Sequence, residues 1–269
     1  MLSTNRNVEA QVRYINAEWR DKAESPRIGS RESRRAATSF QPVEVHDARG
    51  RLNGGELDLD VNGFSLTHNH TKMSEFRNEE RVKADYYPEM TDLVCRMTGA
   101  TAAYARSHLV RTEKPIDFND GYARFVHCDY NVRRIREMSE EVLEQYGVEP
   151  KPGWKYAWYN TWQPFDHQVQ QNPLAVIDCQ TLPREDVIDY YYTGRGNDSL
   201  VAAPVYNPAH RWCYFSFMNT DEVLILKQMD ERPNRAVYCP HTSFDDGSAA
   251  DDALPRRSIE TRLLAVFED

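Results

Sequence analysis

The sequence predicts a mainly β fold with a jelly-roll-like core and helices packed outside it. Short β-type runs recur at regular intervals from Lys155 onward, turn residues separate them, and helical periodicity is confined to two places upstream. Many short strands with turns between them indicate a sandwich or a barrel. The runs are Tyr156 to Trp162, Leu174 to Asp178, Leu200 to Val205, Trp212 to Phe217, Glu222 to Gln228, Ala236 to Cys239 and Ser258 to Phe267. Gln163-Pro164, Asn172-Pro173, Gly194-Arg195-Gly196, Asn207-Pro208 and Arg232-Pro233-Asn234 punctuate them.

Upstream, Val43 to Val45 reads as a short strand. After the turn residues Arg49-Gly50-Arg51 and Asn53-Gly54-Gly55, Leu57, Leu59 and Val61 alternate as a strand does. Asn62-Gly63 reads as a tight turn into Phe64-Ser65-Leu66-Thr67. The first helical place runs from a charged stretch, Ser74 to Lys83, into Glu89 to Gly99, where Met90, Leu93, Val94 and Met97 share a face and Gly99 is the stop. The second is Asn131 to Tyr146, with Ile135, Met138, Val142 and Leu143 on one face, a charged face opposite and Gly147 at its end.

A chain of 269 residues fits one large domain or two small ones. Composition divides it into a polar, Arg-rich segment over residues 1–40, expected to wrap the core or stay mobile, and a single domain over 41–269. A net charge of −9 argues against nucleic acid, since phosphate binding needs a basic face. The arginines between Arg27 and Arg35 read as a solvated loop. No apolar run approaches the roughly 20 residues that span a bilayer, and the start at Met1 lacks the apolar core of a secretory signal. The five cysteines are scattered without CxxC spacing, which fits reduced thiols better than disulfides or a zinc site. The expectation is a cytoplasmic protein with no membrane partner.

The chemistry concentrates in Phe125-Val126-His127-Cys128-Asp129-Tyr130. Residues two apart in an extended segment point to the same side, so His127 and Asp129 would project into one cavity while Val126 and Cys128 face the other layer. One further histidine completes a two-His-one-carboxylate set, which leaves open positions on iron(II). Pro240-His241-Thr242 supplies it after a β-type run. His68 and His70 form a second, weaker pair, and His46, His108, His167 and His210 read as surface or hydrogen-bonded residues. Beyond His241, strand alternation places Arg256, Ser258, Glu260 and Arg262 on one side and Ile259 and Leu263 on the other. A guanidinium there would pair with a carboxylate bidentately, although an Arg–Glu ladder on an edge strand explains the pattern equally well. Arg106, His108 and Arg111 read as surface or structural residues before contacts to an anionic substrate. Trp212 to Phe217 and Asn160-Thr161-Trp162 read as core before pocket wall.

These stretches resemble a known family, the non-haem iron, 2-oxoglutarate-dependent oxygenases of gibberellin desaturase and cephamycin-pathway methoxylation type. The resemblance runs from about Gly63 to Phe267. Beyond the metal motifs it rests on Gly63-Phe64-Ser65-Leu66, Tyr86-Tyr87-Pro88-Glu89, Thr98-Gly99-Ala100, Asn160-Thr161-Trp162-Gln163-Pro164, Pro173-Leu174-Ala175, Asp221-Glu222-Val223-Leu224 and the Arg256 to Arg262 block. It implies a double-stranded β-helix, cupin-like core, with Fe(II) held by His127, Asp129 and His241. It also implies that 2-oxoglutarate is gripped by an arginine near the last strand, Arg256 with Ser258 or else Arg262. The implied reaction couples dioxygen and oxidative decarboxylation of 2-oxoglutarate to hydroxylation, desaturation or ring closure of a small specialised metabolite or amino-acid-derived substrate. Two other readings of the same residues are a zinc-dependent hydrolase or isomerase and a non-enzymatic β-sandwich binding module.

Overall fold

The computed structural model describes residues 6–114, 122–196 and 198–268, and its framework is a set of strands, the central ones buried on both faces. The strands are β1 (Val8–Ile15), β2 (Arg27–Ile28), β3 (Thr38–Asp47), β4 (Phe64–His68), β5 (Ala102–Arg111), β6 (Lys155–Pro164), β7 (Leu174–Ile177), β8 (Val187–Tyr192), β9 (Ser199–Pro204), β10 (Trp212–Tyr214), β11 (Glu222–Asp230), β12 (His241–Ser243) and β13 (Ser258–Phe267). Helices α1 (Arg31–Ala37), α2 (Arg49–Asn53), α3 (Glu79–Arg81), α4 (Tyr87–Thr98) and α5 (Ile135–Gln145) lie between them, and a π-helical turn, Val82–Tyr86, joins α3 to α4. One sheet runs β1-β3-β10-β7-β12, a second runs β4-β11-β6-β13-β5, and a three-stranded sheet, β2-β8-β9, flanks them.

Period-two alternation decides how the layers meet. On β11, Leu224 and Leu226 pack inward with Phe64 and Leu66 of β4, Trp162 of β6, and Val176 and Cys213 from the facing sheet. Val223 and Ile225 point the other way, where Met90, Leu93 and Val94 of α4 cover them together with Ile259 and Leu263. Helix α5 covers the inward face further along, laying Ile135, Met138, Val142 and Leu143 against Trp158 and Leu264. The result is the nearly closed, double-stranded β-helix core with peripheral helices that the sequence predicts.

Several elements differ from the sequence expectation. Leu57 to Val61 is not a strand: the Asn62 side chain accepts from the Asp58 backbone N–H and Asp58 from that of Asp60, which curls the segment into turns and leaves Val61 exposed. Ala236 to Cys239 does not pair, because Pro240 has no N–H to donate; the ladder to β7 begins at His241. The charged stretch from Ser74 becomes helical only at Glu79, behind the Asn78 cap. Arg49 to Asn53 forms α2 where turn chemistry was expected. Strands β5 and β8 lie outside the expected runs; β5 is half-buried along nearly its whole length, so alternation marks it poorly.

Residues 6–40, polar by composition, carry β1, whose Val8, Ala10, Val12 and Tyr14 are buried against Val45 and Trp212. The first five residues lie outside the described ones. No helix among the described residues is long and apolar enough to cross a membrane.

Gly63 launches β4 with φ +82°, and a Cβ there would run into Cys179 Sγ and stand 3.3 Å from Cys239 Cβ. Gly63→Ala is therefore expected to cost about 2 kcal/mol, since strained backbone and a tight contact combine. Urea unfolding monitored by tryptophan fluorescence checks it; an unchanged midpoint would contradict the crowding.

Candidate metal centre

Backbone pairing brings the two distant histidines together. His127 N–H donates to His241 carbonyl O (3.2 Å) and His241 N–H donates back to His127 O (3.0 Å), an isolated antiparallel bridge that extends the sheet beyond β12. Cys128 bridges to Ala202 of β9 on the other side, so the segment is clamped between two sheets. Val126 and Cys128 are fully buried in separate apolar clusters, and His127 and Asp129 point the other way.

Each imidazole is oriented by its own strand. His127 Nδ1–H donates to Phe125 O (2.6 Å) and His241 Nδ1–H to Cys239 O (3.2 Å), which leaves both Nε2 lone pairs facing inward. Asp129 stands between them, with oxygens 3.7 Å from His127 Nε2 and 3.9 Å from His241 Nε2. Two ligands each about 2.1 Å from one ion stand no more than ~4.2 Å apart, so both pairs suit a shared ion. His127, Asp129 and His241 form the one group of three such side chains among the described residues with metal-ligand proximity. His68 and His70 are instead exposed beside Asp221.

The carboxylate is held from behind. Asn160 Nδ2–H donates to one Asp129 oxygen (2.6 Å), Arg262 Nη2–H to the other (3.1 Å), and the Asp129 backbone N–H donates to Gln228 Oε1 (3.1 Å). Burial alone would raise the Asp129 pKa, but Arg262, His241, His127 and the Asn160 bond outweigh it and keep the group ionised well below the usual carboxylate range. Arg262 is committed here, because it also bonds Glu260 (3.0 Å).

Burial, reinforced by His241, lowers His127 from its ordinary 6.5 to about 4. The folded protein then binds fewer protons than the unfolded chain between those values, so stability is full above pH 6.5 and is lost as pH falls toward 4. The metal-free protein is expected to lose about 3 kcal/mol over that window. Thermal melts from pH 8 to pH 4 read it, and His127→Ala should flatten the decline.

Arg256 is in a different state. It is fully buried between the rings of Tyr122 (4.6 Å) and Trp162 (5.2 Å), and Nη1–H donates to Asn172 O (2.7 Å). It forms no ion pair among the described residues, its Nε has no partner, and the buried Ser258 hydroxyl two residues on has none either. Burial pushes its pKa down to about 9. The guanidinium borders the same crevice as His127, Asp129, His241 and Glu260. That crevice opens on a 570 Å³ cavity lined by Arg106, His108, Arg111, Phe125, Tyr130 and Tyr190, among others. The sequence reads Arg106, His108 and Arg111 as surface or structural before pocket, and all three line the cavity wall instead. Trp162 borders the crevice and Asn160 bonds Asp129, whereas Trp212 is core. Gln228 and Tyr190 carried no sequence signal for the site, and Tyr130 only its place at the end of the metal motif.

Two histidines and one carboxylate at one end of a double-stranded β-helix suit the open-sided metal site of the mononuclear non-haem iron oxygenases. A family model described as oxidoreductase/YMDC permease-like domain matches residues 12–267. The chain is 34% identical over 273 residues to the hydroxylase/desaturase efuI of Hormonema carpetanum, covering 90% of this chain and 89% of that one. It is 29% identical over 244 residues to the alpha-ketoglutarate-dependent dioxygenase phiK of Fungal sp. (strain ATCC 74256), covering 85% and 84%. A solved structure of a variant of the iron and alpha-ketoglutarate-dependent endoperoxidase NvfI superposes with a TM-score of 0.82 at 23% identity over all of both chains, a likeness of fold. The chain belongs to the family of non-haem iron, 2-oxoglutarate-dependent oxygenases.

Proposed function

We propose that His127 Nε2, His241 Nε2 and the Asp129 carboxylate hold iron(II) on one face, and that Arg256 with Ser258 grips the far carboxylate of 2-oxoglutarate. The carrying observation is the fully buried Arg256 guanidinium, with a free Nε and no acidic partner among the described residues, beside three inward-facing metal-ligand groups. A buried cation without an anion is costly, and a dicarboxylic acid reaching from the metal supplies one. Arg262, the other candidate for that role, instead orients Asp129 and balances its charge.

The enzyme acts on a small molecule with dioxygen, and we infer a specialised metabolite as substrate, in line with relatives named for hydroxylation, desaturation and endoperoxide formation. When bound, iron(II) and 2-oxoglutarate would supply dioxygen activation: dioxygen is the oxidant, one of its oxygen atoms enters succinate as carbon dioxide leaves, and the other serves the removal of hydrogen from substrate carbon. The chain's own part is placement. The imidazole–carbonyl bonds fix both Nε2 atoms, Asn160 and Arg262 fix the carboxylate plane, and the walls of the 570 Å³ cavity hold the substrate and exclude water. We treat residues 41–269 as one oxygenase domain to which β1 adds an edge. The zinc hydrolase and the binding module are set aside because the relatives are oxygenases.

Anaerobic addition of iron(II) and then 2-oxoglutarate tests the reading. A weak visible charge-transfer band is expected, absent in His127→Ala, with succinate formed on admitting air. A protein showing neither band nor succinate would sink it.

A further inference from the structure

The 570 Å³ cavity lies in the range that takes a drug-sized molecule. Phe125, Met138, Tyr190, Leu200 and Val201 give it an apolar wall. Its charged wall is basic, and Asp129 is the one acidic side chain among the described residues that line it. Most of that positive charge is neutralised in place. Arg106 pairs with Glu141 (3.6 Å), Arg134 with Glu137 (2.9 Å), and Arg262 with Asp129 and Glu260. Arg34 is also engaged within the chain. Burial holds His108 below its ordinary 6.5, against the pull of Glu79, so it is neutral at neutral pH.

Arg111 differs from all of these. It lies opposite Ser258 in the β5–β13 ladder and borders both the large cavity and the crevice of Arg256. Its Nη1 is buried without a hydrogen-bond partner, and Glu260 and Asp129 pull on it only from beyond ion-pair distance among the described residues. A guanidinium in that setting is destabilising until an anion joins it, and its planar fork takes a carboxylate bidentately.

Resting on the assignment of iron and 2-oxoglutarate above, we propose that the primary substrate is a hydrophobic carboxylic acid. Its carboxylate is gripped by Arg111 and its carbon body lies against Phe125, Met138 and Tyr190. A monoanion suits Arg111, since among the described residues Arg106, Arg134 and Arg262 already have carboxylate partners.

The test uses enzyme loaded anaerobically with iron(II) and 2-oxoglutarate, titrated with dodecanoic acid, with biphenylcarboxylic acid and with the methyl ester of each, following the visible band. The acids are expected to perturb the band and the esters to bind at least about tenfold more weakly. Arg111→Gln should weaken the acids by about ten- to hundredfold while the 2-oxoglutarate band itself still forms, and Arg111→Lys should recover part of the loss. Equal binding of acids and esters, or acids unaffected by Arg111→Gln, overturns the proposal. So does an Arg111→Gln protein that loses the 2-oxoglutarate band, which would put Arg111 in the co-substrate seat. A wild-type protein with no band at all refutes the iron assignment instead, so the two failures are separable.

Discussion

Asp129→Ala is expected to form no succinate above a metal-free control and to bind iron(II) more than about a hundredfold more weakly, since even a change behind a ligand costs roughly 10–100-fold. The residue carries two loads at once. Among the described residues it is the carboxylate that stands between His127 and His241, and it is one of the two anions paired with Arg262, which is left with Glu260 when Asp129 is removed. The variant should therefore also lose about 2 kcal/mol of stability, less than a fully buried broken pair because Arg262 keeps a partner and some solvent. Asp129→Asn separates the two loads. Its side-chain oxygen still accepts from Arg262, so the melting temperature should recover, while the anionic ligand stays lost and iron binding stays weak. Wild-type succinate formation in Asp129→Ala would remove the centre from the reaction.

Arg256→Met should raise the KM for 2-oxoglutarate by about a hundredfold or more, the usual scale for truncating one partner of a buried charge pair. The opposite sign is expected for the protein alone. The wild-type guanidinium is fully buried with no anion, so a methionine of similar length should leave the ligand-free protein as stable or more stable, despite the lost bond to Asn172 O. Thermal melts with and without 2-oxoglutarate expose the crossover. Saturating co-substrate stabilises a binding protein by about 2.7 kcal/mol at a hundred times Kd, a gain that Arg256→Met forfeits. A variant still stabilised by 2-oxoglutarate like wild type would transfer the role to another arginine.

Local signals carried the fold class and the first metal pair. The β-type runs Glu222 to Gln228 and Ser258 to Phe267 mark two central strands, and each is buried on both faces because one face meets a helix and the other the barrel interior. The same logic failed at Leu57 to Val61, where Asp and Asn side chains bond the backbone locally and outcompete pairing. It also missed β1, whose Val8, Ala10, Val12 and Tyr14 alternate within a segment that reads as polar overall.

The sequence by itself determined that His127 and Asp129 share a side, since a period of two needs no partner strand, and that Arg256, Ser258, Glu260 and Arg262 share another. Only the tertiary structure decided what each does. A backbone bridge over 114 positions (241 − 127) sets His241 beside His127. The arginines, alike in sequence, are told apart by what burial leaves beside them: Asp129 and Glu260 for Arg262, a carbonyl and two rings for Arg256, and for Arg111 no carboxylate within ion-pair distance among the described residues. Charge compensation is a property of neighbours in space, and neighbours in space are what a linear sequence does not list.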